Sequence, residues 1–195
     1  FEREVGRDGF FGPVSHLYHR HAPTNWSQFD GPLQPHAFNL NSLQAEAEFP
    51  WRAATLLENS KVQIGYWRCA TSMMQLARNA DGDTLLFVHA GEGDFYCDYG
   101  HMRYRDGDYL LIPRGCCWRI ECAQACDFLV IEARNSALQL PDTGLLGATA
   151  LFDAAVLQYP RINSEFLAQH SEEPWQIVIK RREQESLLSY DFNPL

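Results

Sequence analysis

Three imidazoles crowd the front of the sequence, in His16-Leu17-Tyr18-His19-Arg20-His21. Residues two apart on a strand point to the same face, so His19 and His21 could share a metal ion. A third donor would have to come from elsewhere, such as His36 or Asp30. The spacing meets no established ligand pattern, and the favoured reading makes His16, His19 and His21 polar arm residues, hydrogen-bonded or solvated. The second group is six cysteines: Cys69, Cys97, Cys116, Cys117, Cys122 and Cys126. They lack the Cys-x-x-Cys knuckles of structural zinc, and adjacent Cys116 and Cys117 face opposite sides of a strand. Reduced, half-buried strand thiols in a cytoplasmic protein are the expectation. There is no Gly-x-Ser-x-Gly elbow for a serine nucleophile. Gly91-Glu92-Gly93 lacks the third glycine and the following helix of a phosphate cradle, and reads as a turn.

The most informative pattern is Val88-His89-Ala90-Gly91-Glu92-Gly93 followed by Asp106-Gly107-Asp108-Tyr109-Leu110-Leu111-Ile112-Pro113-Arg114-Gly115. Tight turns between barrel strands often need a positive φ, which glycine supplies, and proline presets φ where a ladder ends. The two pieces resemble the signature turns of cupins, which are double-stranded β-helix barrels. A metal-binding cupin carries His-x-His and a Glu before the first turn and another His after the Pro-x-Gly turn. These ligands form a histidine–carboxylate site with open positions for dioxygen and substrate. The corresponding stretch here, Met74 to Asp83, has no histidine. Ala77, Asn79 and Asp83 fall near the ligand positions and Trp118 near the later histidine. An indole cannot ligate iron, so the resemblance implies a metal-free barrel with a packed interior.

The elements that would hold these residues are mostly strands. Residues 1 to about 60, rich in Gly and Pro to residue 50, predict an extended N-terminal arm with short edge strands at best, packed on the barrel through Phe10, Phe11, Leu17, Tyr18, Trp26, Phe29 and Phe38. From 61 to 133, short apolar or alternating runs between turn signals predict a sandwich or barrel: Val62 to Tyr66, Thr84 to Val88, Asp94 to Tyr99 closed by Gly100, Tyr109 to Ile112, Trp118 to Cys122 and Phe128 to Ile131. A short helical insertion is expected over 144–157, and Trp175 to Lys180 with Leu187 to Phe192 as a closing C-terminal hairpin over the polar link 181–185. The fold class is therefore all-β, one structural domain over 1–60 and 61–195. With 46% hydrophobic and 21% charged residues the chain is not disordered throughout. A formal net charge of −9 argues against nucleic acid and leaves room for a small anion held by a local Arg. No apolar run is long enough for a membrane, no signal peptide is evident, and Asn25-Trp26-Ser27 is discounted as a glycosylation acceptor. The ends, Phe1-Glu2-Arg3 and Asn193-Pro194-Leu195, read as cuts within a longer chain.

Several further segments together resemble the homogentisate 1,2-dioxygenase family: Leu17 to Thr24, Gly31 to Pro35, Asn79 to Asp83, Gly107 to Gly115, Val178 to Arg182 and Tyr190 to Leu195. Members of that family have two cupin-like halves, and the resemblance is to the amino-terminal one, bacterial type. It implies that ferrous iron is held by two histidines and a glutamate of the carboxy-terminal half, so no catalytic, cofactor-binding or metal-ligating residue is assigned in this chain. It also implies a parent enzyme that cleaves the ring of homogentisate, a small aromatic acid, to maleylacetoacetate in tyrosine and phenylalanine catabolism. The partners implied are the carboxy-terminal half and further copies in a homo-oligomer. The alternatives are a stand-alone, metal-free cupin that binds a small metabolite, and a metal enzyme built on the arm histidines.

Overall fold

The computed structural model describes residues 1–195 except 10, 33, 35 and 141–152. The described chain divides into two compact units, Phe1–Phe38 and Asn39–Leu195. The first is built on an antiparallel hairpin, β1 (Glu2–Asp8) and β2 (Phe11–Tyr18), in which Glu2 faces Tyr18 and Gly6 faces Val14. These strands are longer than the short edge strands expected. Pro13 had argued against a strand, but it lies where the register shifts between Gly6 and Asp8. Its missing N–H therefore costs no ladder bond there.

The second unit has strands β3 (Ala54–Glu58), β4 (Val62–Cys69), β5 (Leu76–Asn79), β6 (Gly82–Ala90), β7 (Gly93–Cys97), β8 (Gly100–Tyr104), β9 (Tyr109–Ile112), β10 (Cys117–Glu121) and β11 (Cys126–Arg134), a short helix α1 (Ser164–Ala168), then β12 (Trp175–Arg181) and β13 (Gln184–Tyr190). Two sheets result, ordered β13-β12-β5-β10-β7-β8 and β3-β4-β11-β6-β9. From β5 to β11 the chain passes repeatedly from one sheet to the other, which is the winding of a cupin-like double-stranded β-helix. Among the described strands every pairing is antiparallel except β12 with β5. The alternation of Val62, Ile64 and Tyr66 forms β4 as expected, paired along its length with β11.

Side chains from both sheets fill the interior. Trp67 on β4 and Phe128 on β11 stack at 5.0 Å, and Trp118 on β10 meets Trp67 edge-on at 6.3 Å. Leu86, Val88, Phe95, Leu110 and Ile112 complete this core. A smaller cluster of Leu76, Cys117 and Ile177 packs with Trp175, Tyr190 and Leu195.

One expectation changes at the start of β8. Gly100 opens β8 instead of closing the preceding strand, because Asp98-Tyr99 is a two-residue hairpin turn with Cys97 facing Gly100. A Cβ at Gly100 would come within 2.5 Å of the Arg161 backbone, and its φ is +124°, so only glycine suits this close approach. The helix expected over 144–157 lies largely outside the described residues; Ala154–Val156 is a 3-10 turn capped by Asp153. The described α-helix is α1, whose Asn163 side chain caps the Phe166 amide at 2.9 Å.

Candidate functional site

Ala77, Asn79 and Trp118 converge at the barrel interior, as their spacing suggested. Ala77 lies opposite Trp118 in the β5–β10 ladder. The Trp118 ring is buried against Trp67 and Phe95, and its Nε1 has no hydrogen-bond partner among the described residues. Asp83, one strand over, spends its carboxylate on loop backbone: Oδ1 accepts from Arg114 N at 2.7 Å and Oδ2 from Leu138 N at 2.8 Å.

Asn79 belongs to a buried polar centre that the sequence did not reveal. Its Nδ2 donates to Glu132 Oε1 at 2.7 Å and to Thr84 Oγ1 at 3.1 Å. Lys180, fully buried on β12, donates to both Glu132 oxygens at 2.6 and 2.8 Å, with Asp81 at 3.4 Å. The two charges compensate each other, as burial requires. The ammonium thus caps a carboxylate that would otherwise be a candidate ligand. Glu132 interrupts an apolar run and Lys180 precedes Arg181-Arg182; both read naturally as surface charges, and only the parallel pairing of β12 with β5 brings them together. A cavity of ≈20 Å³ beside Asn79, Thr84 and Glu132 is about the size of one water.

Ferrous iron does not fit these residues. The two buried carboxylates, Glu132 and Asp83, are engaged by an ammonium and by backbone amides, and indole fills the later ligand position. Among the described residues no three His, Cys, Asp or Glu side chains form a group that could hold a metal ion.

The arm histidines are not brought together on a strand, because β2 ends at Tyr18. His16 Nδ1 contacts Glu2 Oε1 at 2.7 Å, and the backbone N–H of His19 donates to Phe1 O at 2.7 Å. Cys69, Cys122 and Cys126 lie together, Cys97 neighbours Cys116, and Cys117 packs in the smaller cluster. Cys69 faces Cys126 in register, and burial raises the Cys69 thiol well above its ordinary range. Burial likewise pushes Cys117 up to about 12. A hydrogen bond with Cys116 lowers Cys97 and raises Cys116.

His101 is also buried. Asn163 Oδ1 is taken by the Phe166 amide, which turns Nδ2 toward His101 Nδ1 at 3.0 Å. Nδ1 then accepts, leaving Nε2–H to donate to Asp94 Oδ1 at 2.8 Å. No nucleophile adjoins this pair among its described hydrogen-bond partners; it ties the segment before α1 to β8, together with paired His101 and Arg161 backbones.

A family model described as homogentisate 1,2-dioxygenase N-terminal matches residues 17–195. The chain belongs to that family. The homogentisate 1,2-dioxygenase of Pseudomonas putida strain GB-1 is 28% identical over 183 residues, covering 92% of this chain and 39% of that protein. That of Legionella pneumophila strain Corby is 28% identical over 122 residues, covering 62% and 29%. A Saccharolobus solfataricus protein named as a dioxygenase, with no substrate in its name, is 27% identical over 147 residues, covering 69% and 38%. The chain thus spans about two-fifths or less of the length of these homogentisate 1,2-dioxygenase relatives and of the archaeal protein. Among solved structures, the Schizosaccharomyces pombe Cnp3 cupin domain is similar at a TM-score of 0.46 and 11% identity, covering 69% of this chain and 87% of that one.

Proposed function

We propose that this chain is the amino-terminal structural half of a homogentisate-cleaving dioxygenase whose ferrous iron is held by a carboxy-terminal half. The observation that carries the reading is the family match over residues 17–195 in a barrel whose interior is closed by Trp67, Trp118 and Phe128. In the assembled enzyme the reaction would be oxygen-dependent ring cleavage of the aromatic acid to maleylacetoacetate, within tyrosine and phenylalanine catabolism. This half would brace the catalytic half and contribute contacts in a homo-oligomer. A cytoplasmic location goes with this metabolic role. Among the described residues no helix is long and apolar enough to cross a membrane. The competing reading is a stand-alone, metal-free cupin that binds a small metabolite. The space of ≈20 Å³ beside Asn79, Thr84 and Glu132 is far below the roughly 300 Å³ at which small-molecule sites begin, so the polar centre of the barrel does not favour it.

The test is ring cleavage followed with oxygen uptake, in ferrous iron and reductant. A longer protein carrying this sequence and a following cupin half is expected to turn over homogentisate, and the 195-residue chain alone is not. Activity of the longer protein on a related dihydroxy-aromatic acid instead would keep the family reading and change the substrate. Turnover by the chain alone, abolished by His19→Ala, would overturn the assignment of the site to the other half.

A further inference from the structure

Among the described residues three non-glycine positions have a positive φ: Asn135 at 56°, Arg182 at 50° and Glu183 at 59°. Such conformations are costly for side-chain-bearing residues and tend to gather at functional sites. All three line one open cleft of ≈500 Å³ in the second unit. Four arginines line the same cleft from three separate places: Arg114 in the β9–β10 turn, Arg134 at the end of β11, and Arg181 with Arg182 at the end of β12 and the turn after it. This gathering occurs in a chain of net charge −9, so it is not a sample of a generally basic surface.

The carboxylates nearby do not cancel the whole cluster. Asp81 accepts the Arg182 backbone N–H with both oxygens at 2.9 Å, and Asp83 accepts that of Arg114 at 2.7 Å. These acids anchor the two arginine-bearing loops by their backbone N–H groups, and form no ion pair with Arg114 or Arg182 among the described residues. Arg134 is occupied by Glu58, Glu132 and Glu183. Among the described residues Arg114, Arg181 and Arg182 form no ion pair. Planar guanidinium groups match the paired oxygens of phosphate and carboxylate. Apart from Ala80 the cleft lining is entirely polar or charged, which suits a compact hydrophilic anion better than an aromatic acid.

We propose that this cleft binds a small, multiply charged oxyanion, a phosphate or a di- or tricarboxylate, held by Arg114, Arg181 and Arg182. The proposal does not depend on where the iron of the family lies. The probes are inorganic phosphate and citrate, titrated into the chain by calorimetry and thermal melting, with ionic strength held constant by sodium chloride. Each probe that binds should raise the melting temperature saturably. The double variant R114Q/R182N should weaken binding by at least about tenfold, while R103Q, on β8 outside the cleft, should leave it unchanged. Asparagine tolerates a left-handed φ, so R182N should melt no lower than the parent chain, separating loss of binding from loss of fold. Response to phosphate alone or to citrate alone would identify the class of anion. A response that follows only ionic strength, or that survives in R114Q/R182N, would overturn the proposal.

Discussion

Lys180 and Glu132 are acceptable in the interior chiefly because each offsets the other, with Asp81 and Arg134 as more distant partners. Removing the ammonium alone leaves a carboxylate buried with Asn79 as its main donor. Lys180→Met should therefore cost roughly 3–5 kcal/mol in urea denaturation. The double variant K180M/E132M should recover most of that loss, because both charges leave together; equal loss in the single and double variants would deny the coupling. Glu185 offers a pH-resolved counterpart near the surface. The Arg52 guanidinium hydrogen-bonded to it holds its carboxyl below the ordinary 4.5, with burial opposing and Trp51 Nε1 donating at 2.9 Å. A depressed folded-state pKa means stability that is present above the unfolded value and lost as pH falls through the folded one. The stability gap between the parent chain and Glu185→Gln should thus be full above pH 4.5 and close on acidification below it. A gap that widens toward low pH would contradict the assignment.

At the scale of elements, turns and caps carry the next predictions. Arg182-Glu183 joins β12 and β13 with both residues at positive φ, the geometry for which Asn-Gly is preferred. Glu183→Gly should raise stability by about 1 kcal/mol through relief of that backbone, measured by urea denaturation; a loss would mean that the Glu183–Arg134 pair outweighs the strain. Asn163→Ala removes both the α1 cap and the partner of His101. It should cost about 1 kcal/mol and selectively release the Phe166 amide to hydrogen exchange, while the β10 amides keep their protection. The barrel strands were legible because alternation and Gly/Pro turns are local signals, as in Val62 to Tyr66 and Asp106 to Gly115. The β1–β2 hairpin was not, since charged residues and Pro13 obscured its period. Strand β8 was missed because His101-Met102-Arg103-Tyr104 carries little apolar pattern and Gly100 reads as a stop. Ala77 and Trp118 could be placed from turn spacing alone. Lys180, Glu132 and the arginine cleft could not, because each joins residues from distant strands, and single charges look solvent-exposed in sequence.

At the scale of the whole molecule, the proposed reading is one division of labour: this half would provide fold and contacts, and the carboxy-terminal half would provide iron. The claim is tested most directly by a ferrous-iron titration of the 195-residue chain under anaerobic conditions, followed by removal of weakly held metal and metal analysis. Near the expected ligand positions the interior offers the Trp118 indole and the Asn79 amide, and the neighbouring Glu132 carboxylate is capped by an ammonium. Retained iron should therefore fall far short of one ion per chain, and the longer two-half protein should retain close to one. One tightly held ferrous ion in the chain alone, lost on replacing Asn79, Asp83 or Glu132, would contradict it.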